Sequence, residues 1–392
     1  MTYPQDNLDP NKPHALAGIT VIDFTRELSG PTCTRMLADA GARVIKIEHP
    51  KVGDDTRQMG PFLDDGSSEY FRLANLGKES IALNLKDPID LALVKNMIAG
   101  ADIVVENFRP GVMAGLGLDP ASLVEEHPEL IVCSISGFGQ YGPMRKLAAY
   151  DTIIQALSGI MDATGWPDGP ATRVGAAISG IVAGIFGYAG IVTALAARAR
   201  TGLGTTVDIA MLDCTFALLE HGLMDALGIH KRPTRLGNRD PFAYPFDTFN
   251  CSDQALAIAV GNDHLFGILC KVLGLATLPT DTRFATNAAR CTNHAALKMT
   301  MESVLKTNTA ETWRGRFEAT GVPVAIVLNV DDTQKLEQIA VRGMVKNVGG
   351  RDVPGTPLKF SSYNSVGTTI PAPTLDNRGT AIRAEFALQG VS

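Results

Sequence analysis

Val104-Val105-Glu106-Asn107-Phe108-Arg109-Pro110-Gly111 carries the chain's most telling pattern. It follows Ala101-Asp102-Ile103, so an apolar run ends directly in a polar, arginine-bearing turn punctuated by proline and glycine. Taken alone, the segment reads first as an ordinary strand and turn. If it belongs to an open parallel sheet, the turn lies where such sheets bind their ligands, just beyond a strand's carboxyl end. An amide, an aromatic ring and a guanidinium delivered together at that point suit an anionic, partly aromatic ligand.

The flanking segments favour the parallel sheet. Gly18–Thr25 predicts a strand, Pro31–Ala40 a short amphipathic helix opened by Ser29-Gly30-Pro31, and Arg43–Glu48 the next strand. Proline suits a helix start, where its missing N–H would have no partner anyway. Further strands are expected at Ser80–Leu85, Asp102–Glu106 and Leu130–Ser136, with a helix at Asp90–Ile98. This alternation predicts an α/β chain with a doubly wound, Rossmann-like parallel sheet. Beyond Asp151 the pattern turns helical, at Ile153–Met161 and Ala176–Arg198, with Thr201-Gly202-Leu203-Gly204 as the stop. A strand at Thr205–Ile209 and a helix at Met211–Leu227 follow. Lys231–Pro245 reads as a linker. A smaller α+β segment then carries a strand at Leu256–Val260, a helix at His264–Leu273 and more helix within Asn293–Glu318. Pro323–Val327 opens a last section that ends in a polar tail.

Composition narrows the function. At 392 residues with a net charge of -6, the chain lacks the basic balance expected of a nucleic-acid binder. Its six cysteines form no Cys-x-x-Cys pair, which suits reduced thiols in the cytoplasm. Met1–Pro13 is polar, with three prolines and no apolar core, and reads as a loose leader rather than a signal peptide. Val174–Ala197 carries no formal charge and is long enough to span a bilayer. Arg198 and Arg200 follow at once, however, and no second such segment exists. A buried helix whose glycines permit close backbone approach is the expectation, with no membrane partner. The histidines show no metal-ligand spacing, and Gly-x-Ser-x-Gly, Walker and G-x-G-x-x-G motifs are all absent, so neither a metal nor a nicotinamide cofactor is expected.

The expected strand ends carry the remaining polar residues: Glu27 to Pro31, His49-Pro50 with Gly53 to Arg57, Lys78 and Lys86 around the third strand, Asn107-Phe108-Arg109, and Ser136 to Gly142. Five such ends on one rim suit a single extended, phosphate-bearing ligand. In these segments the chain resembles the class III CoA-transferase family, which includes formyl-CoA transferase, the CaiB/BaiF proteins and the α-methylacyl-CoA racemases. The matching stretches include Leu16–Phe24, Gly41–Glu48, Gly53–Arg57, Glu106–Gly111, Ser136–Gln140, Tyr150-Asp151, Arg200–Gly204 and Asp208–Asp213, with Gly321–Pro323 and Arg342–Met344 near the end.

The resemblance implies a large Rossmann-like CoA-binding domain (1–210 with 340–392), linkers (211–245 and 319–339) and a small α+β domain (246–318). It implies an interlaced, ring-like homodimer, and acyl-CoA and a small carboxylic acid as substrates, with no tightly bound cofactor. Carried over by motif, Glu27, Leu28, Ser29, His49, Leu83, Lys86, Asn107, Phe108 and Arg109 would contact coenzyme A. His49 stands where an arginine is common, and Gly115 where a phosphate-contacting arginine often lies. Family transferases use an aspartate nucleophile in a segment resembling Val-Gly-x-x-Ile-x-Asp; ungapped alignment with Val174–Gly180 puts Gly180 at that aspartate. Asp151 is the remaining candidate acid, either a substitute nucleophile or base, or a structural cap on the helix beginning at Thr152. The racemases pair an acid at the position of Gly180 with a histidine, and here Tyr150 takes the histidine's place. The expected activity is therefore acyl-CoA:carboxylate CoA transfer without the usual aspartate; a non-catalytic acyl-CoA-binding protein is the alternative, and an acyl-CoA racemase or isomerase ranks third.

Overall fold

Six short runs of apolar and β-branched residues form one parallel sheet in a computed structural model that describes residues 12–364, 367 and 369–387. They are β1 (Thr20–Asp23), β2 (Arg43–Glu48), β3 (Lys78–Ala82), β4 (Ile103–Glu106), β5 (Ile131–Ser136) and β6 (Thr205–Ala210), ordered β3-β2-β1-β4-β5-β6. Most of the polar leader and the end of the polar tail lie outside the described residues. Val21, Ile22, Val44, Ile45, Val104, Val105 and Val132 are all buried, as expected of strands covered on both faces. The strand order reverses at the β1/β4 pair, which is registered Val21↔Ile103 and Ile22↔Val104. Chain connections leave that pair in opposite directions, so a crevice opens beyond the ends of β1 and β4.

The chargeless stretch forms the helix Ile178–Thr201, which packs on the Ser29–Asp39 helix and on β5 and β6. By length and composition it is the one described helix able to cross a membrane. Its glycines explain the packing. A Cβ on Gly184 would lie 2.6 Å from the Ser29 carbonyl oxygen, and one on Gly187 would lie 2.9 Å from Ile135. Gly184 has no room for a methyl group, so the two helices approach at backbone distance there, while Gly187 lets the helix lie close against β5. Gly202, at φ 72°, ends the helix in the left-handed conformation that glycine adopts without strain.

The chain divides into two compact units. The first comprises the described residues of Met1–Ile160, Arg173–Leu219 and Lys335–Ser392, the second Met161–Thr172 and Glu220–Gln334. The second unit contains the antiparallel sheet β7 (Phe246–Asn250), β8 (Ala255–Ala259) and β9 (Val324–Ile326), ordered β7-β8-β9. Phe249, Leu256, Ile258, Phe266, Leu269, Trp313 and Phe317 belong to its core. The first unit ends with a hairpin, β10 (Val345–Val348) and β11 (Arg351–Pro354), and the Gly379–Ala387 helix.

Several elements depart from expectation. β7 lies in a stretch without a sustained apolar pattern, and its pairing with β8 makes it a strand. The β10–β11 hairpin turns on Gly349-Gly350, both at positive φ, as a two-residue hairpin loop requires. The expected Met211–Leu227 helix stops at Ala217 and resumes only as short turns from Glu220. Lys78, expected at the ligand rim, is the first residue of β3. Its ammonium is buried 3.0 Å from Asp23, away from any solvent-facing turn.

Candidate active site

The β1 and β4 turns are laced together across the crevice. Arg26 N–H donates to Asn107 Oδ1 at 2.8 Å, and Asn107 Nδ2 donates back to the Arg26 carbonyl at 2.8 Å. A carboxamide carries both an acceptor and a donor, and here it pairs with the backbone N–H and carbonyl of one residue. Glu27 follows at φ 65°, a conformation sparsely populated by residues other than glycine. Its N–H donates to Asp54 Oδ1 at 3.2 Å. Asp54 is held in turn by the buried Lys46 ammonium, 2.9 Å away, which also donates to the Thr25 carbonyl. Burial alone would raise the Asp54 pKa, but Lys46 and the Thr56 donors outweigh it and bring it down to about 2. Charge buried behind the turn thus fixes the turn's conformation.

Two cavities lie along this rim, and Arg26 and Phe108 line both. The first, of about 480 Å³, is polar. Glu27, Leu28, Ser29, Asn107, Phe108, Arg109, Asp151 and Gly180 line it. The second, of about 260 Å³, takes in His49, Leu83 and Lys86, with Leu85, Val112 and Leu116 as apolar walls. The residues singled out from sequence are therefore distributed between two adjoining sites on one face. Beneath them Glu106, at the end of β4, accepts from Phe108 N–H at 2.8 Å. Burial pushes its pKa up to about 7 despite that bond and one from Ser134.

Gly180 sits in the first turn of the Ile178–Thr201 helix. A Cβ placed there would meet only Leu28, at 3.3 Å, the end of a flexible side chain. Unlike Gly184, this glycine is not required by backbone contact. Asp151 is the first residue of its own helix, which Tyr150 precedes without any side-chain cap. Its carboxylate caps the glycine-rich helix instead: Oδ1 accepts from Ser179 N–H at 2.9 Å and Oδ2 from Gln155 Nε2 at 2.7 Å. That helix has no cap from its own preceding residue, Ala177, so Asp151 supplies one of its unpaired amide donors with an acceptor from elsewhere in the chain.

The model for CoA-transferase family III matches residues 16–378. The chain belongs to this family of CoA-transferases. The acetyl-CoA:oxalate CoA-transferase of Acetobacter aceti is 48% identical, over 96% of this chain and 97% of that protein. The succinate–glutarate CoA-transferase of Agrobacterium fabrum is 38% identical, over 96% and 97%. Among solved structures, a CaiB/BaiF family protein from Brucella suis superimposes with a TM-score of 0.86 at 39% identity, covering 96% of this chain and all of that one.

Some residues lining the polar cavity carried no signal in the sequence. Tyr70, Arg145 and Arg173 all line the polar cavity. Tyr70 belongs to the short Glu69–Ala74 helix, which has no signal beyond its Ser68 cap. Arg173 lies within the quoted glycine-rich segment, and its guanidinium donates to the Gly175 carbonyl at 2.9 Å. Neither Arg145 nor Arg173 forms an ion pair among the described residues. No group of His, Cys, Asp and Glu suited to a metal ion occurs among the described residues, and all six cysteines are free thiols.

Proposed function

We propose that this protein is an acyl-CoA:carboxylate CoA-transferase that works with Gly180 at the position of the family's aspartate nucleophile. The observation that carries the reading is the pair of adjoining cavities sharing Arg26 and Phe108 at the β1/β4 crevice. The apolar cavity, edged by His49 and Lys86, suits the adenine and phosphates of coenzyme A. The Asn107-Phe108 turn lies along the way for pantetheine, and the thioester reaches the polar cavity beside Gly180. Arg145 and Arg173, which form no ion pair among the described residues, are cations there suited to the charges of a small dicarboxylic acceptor. The relatives' named acceptors, oxalate and glutarate, belong to that class.

The proposed protein is a cytoplasmic homodimer. Ile185, Phe186 and Phe216, exposed on one unit, support a further apolar surface to be covered. Light scattering of the purified protein checks this, and a monomer would refute it. Activity is tested by incubating the protein with acetyl-CoA or succinyl-CoA and a panel of C2 to C5 dicarboxylates, with new thioesters followed by mass spectrometry. Transfer to a dicarboxylate supports the reading. Tight CoA binding without turnover would make the protein an acyl-CoA binder, and α-proton exchange without transfer would make it a racemase.

A further inference from the structure

Three carboxylates line the polar cavity, and two are committed to other tasks. Asp151 directs both oxygens at protein donors, Ser179 N–H and Gln155 Nε2. Asp55 is paired with the Arg26 guanidinium. The third, Glu27, has no ion-pair partner among the described residues, and it lines the cavity together with Tyr150.

Glu27 is also the residue whose backbone is held in the left-handed region, at φ 65°. Strain of this kind persists only where its surroundings over-determine it, and it gathers at functional sites. Here the Asn107 carboxamide holds Arg26 on one side, and Asp54, with Lys46 behind it, holds the Glu27 N–H on the other. The next residue, Leu28, is the side chain that a Cβ on Gly180 would meet. Burial, together with the negative charges of Asp55 and Asp54, raises the Glu27 pKa. A more basic carboxylate is a better nucleophile.

We propose that Glu27 is the carboxylate nucleophile of this CoA-transferase, acting in the space that Gly180 leaves free. The assignment rests on the transferase reading above. A Glu27 oxygen attacks the thioester carbonyl, the C–S bond breaks, and the CoA thiolate leaves a mixed anhydride between Glu27 and the acyl group. The thiolate then attacks the Glu27 carbonyl carbon. The C–O bond breaks, the donor acid departs as its carboxylate, and a glutamyl-CoA thioester remains. The acceptor carboxylate attacks this thioester and expels the thiolate, forming a second anhydride. Return of the thiolate to the acceptor's carbonyl releases the new acyl-CoA and restores the Glu27 carboxylate. No proton and no oxidant enters or leaves the cycle.

The test is trapping. Wild-type protein is mixed with succinyl-CoA, quenched with hydroxylamine or borohydride, digested and analysed by mass spectrometry. The expected result is a modified peptide with the change on Glu27. Glu27→Gln should lose turnover by about a thousandfold, far more than any weakening of its CoA dissociation constant. Wild-type turnover with the label on Asp151, or with no label and an active Glu27→Gln, overturns the assignment and leaves the transferase reading standing. Absence of both turnover and label with any acyl-CoA overturns both. Because the label is read on the wild-type chain, a poorly folded variant does not cloud the answer.

Discussion

The two cavities share a rim and two residues, yet they are made of opposite materials. The one beside Leu83 and Leu116 is walled by aliphatic side chains, with His49 and Lys86 at its edge. The one beside Gly180 is ringed by carboxylates and guanidiniums set before any ligand arrives. On the proposed function, the difference follows from what each has to do. A part of a ligand that does not react needs surface and shape, and its binding energy can be used to place the reacting part. A reacting centre needs fixed charge, which acts without reorganisation when the transition state forms. Common to both is the buried framework of Lys46, Asp54 and Glu106, which shapes the β1, β2 and β4 turns from behind.

That shared framework offers the largest test. Lys46→Met would leave Asp54 buried without its counter-charge and is expected to cost about 3–5 kcal/mol of stability, measured by denaturant unfolding. If the variant still folds, the Glu27 turn should loosen and turnover should fall more than CoA affinity. A loss of less than about 1 kcal/mol would mean the pair is not what supports the two cavities.

Next comes Glu106, under the Phe108 turn that both cavities share. Its folded pKa of about 7 lies above the ordinary 4.5, so the folded state holds a proton that the unfolded chain releases. The associated stability is full below about pH 4.5 and is lost as pH rises through 7, a change on the order of 3 kcal/mol. Glu106→Gln should flatten that slope and gain relative stability at pH 8. An unchanged slope across this window would remove Glu106 as its source.

Two smaller changes separate the cavities from each other. Gly180→Asp requires Leu28 to yield by a few tenths of an ångström, so its stability cost should be below about 1.5 kcal/mol. It should restore transfer to a Glu27→Gln protein by placing a second carboxylate in the same cavity, and CoA affinity should hardly move. A folded double variant without any gain in activity would show that the space beside Leu28 is not where the thioester reacts. Lys86→Ala should do the reverse. CoA affinity should weaken by about 1 kcal/mol, less at high salt, with the rate at saturating substrate unchanged. A fall in that rate would mean the two cavities do not divide binding from reaction.

How far the sequence could be read depended on how local each signal was. The parallel sheet was legible because Val104–Glu106 and its counterparts are apolar runs that end in turn-forming residues, and the backbone needs nothing distant to declare them. The long helix was legible too, from a chargeless stretch closed by Gly202. β7 was not, because Phe246–Asn250 becomes a strand only by pairing with β8. Asp151 was legible as a possible cap, but on the wrong helix, since the amide it serves lies 28 residues downstream at Ser179. Lys78 was legible as a charge near a strand and not as a buried one, because its burial depends on Asp23, 55 residues away, as partner.

By itself, then, the order of residues determined the sheet, the rim on which polar side chains gather, and the absence of any side chain at position 180. These follow from periodicity and residue chemistry, which act over a few neighbours. Only the folded chain decided which carboxylates have partners. From the sequence Asp151 was the candidate acid and Glu27 a coenzyme A contact; packing commits Asp151 to Ser179 and Gln155, and Asp55 to Arg26. Hydrogen bonds and ion pairs form between groups that the sheet brings together from far apart, so the availability of an acid is a tertiary property.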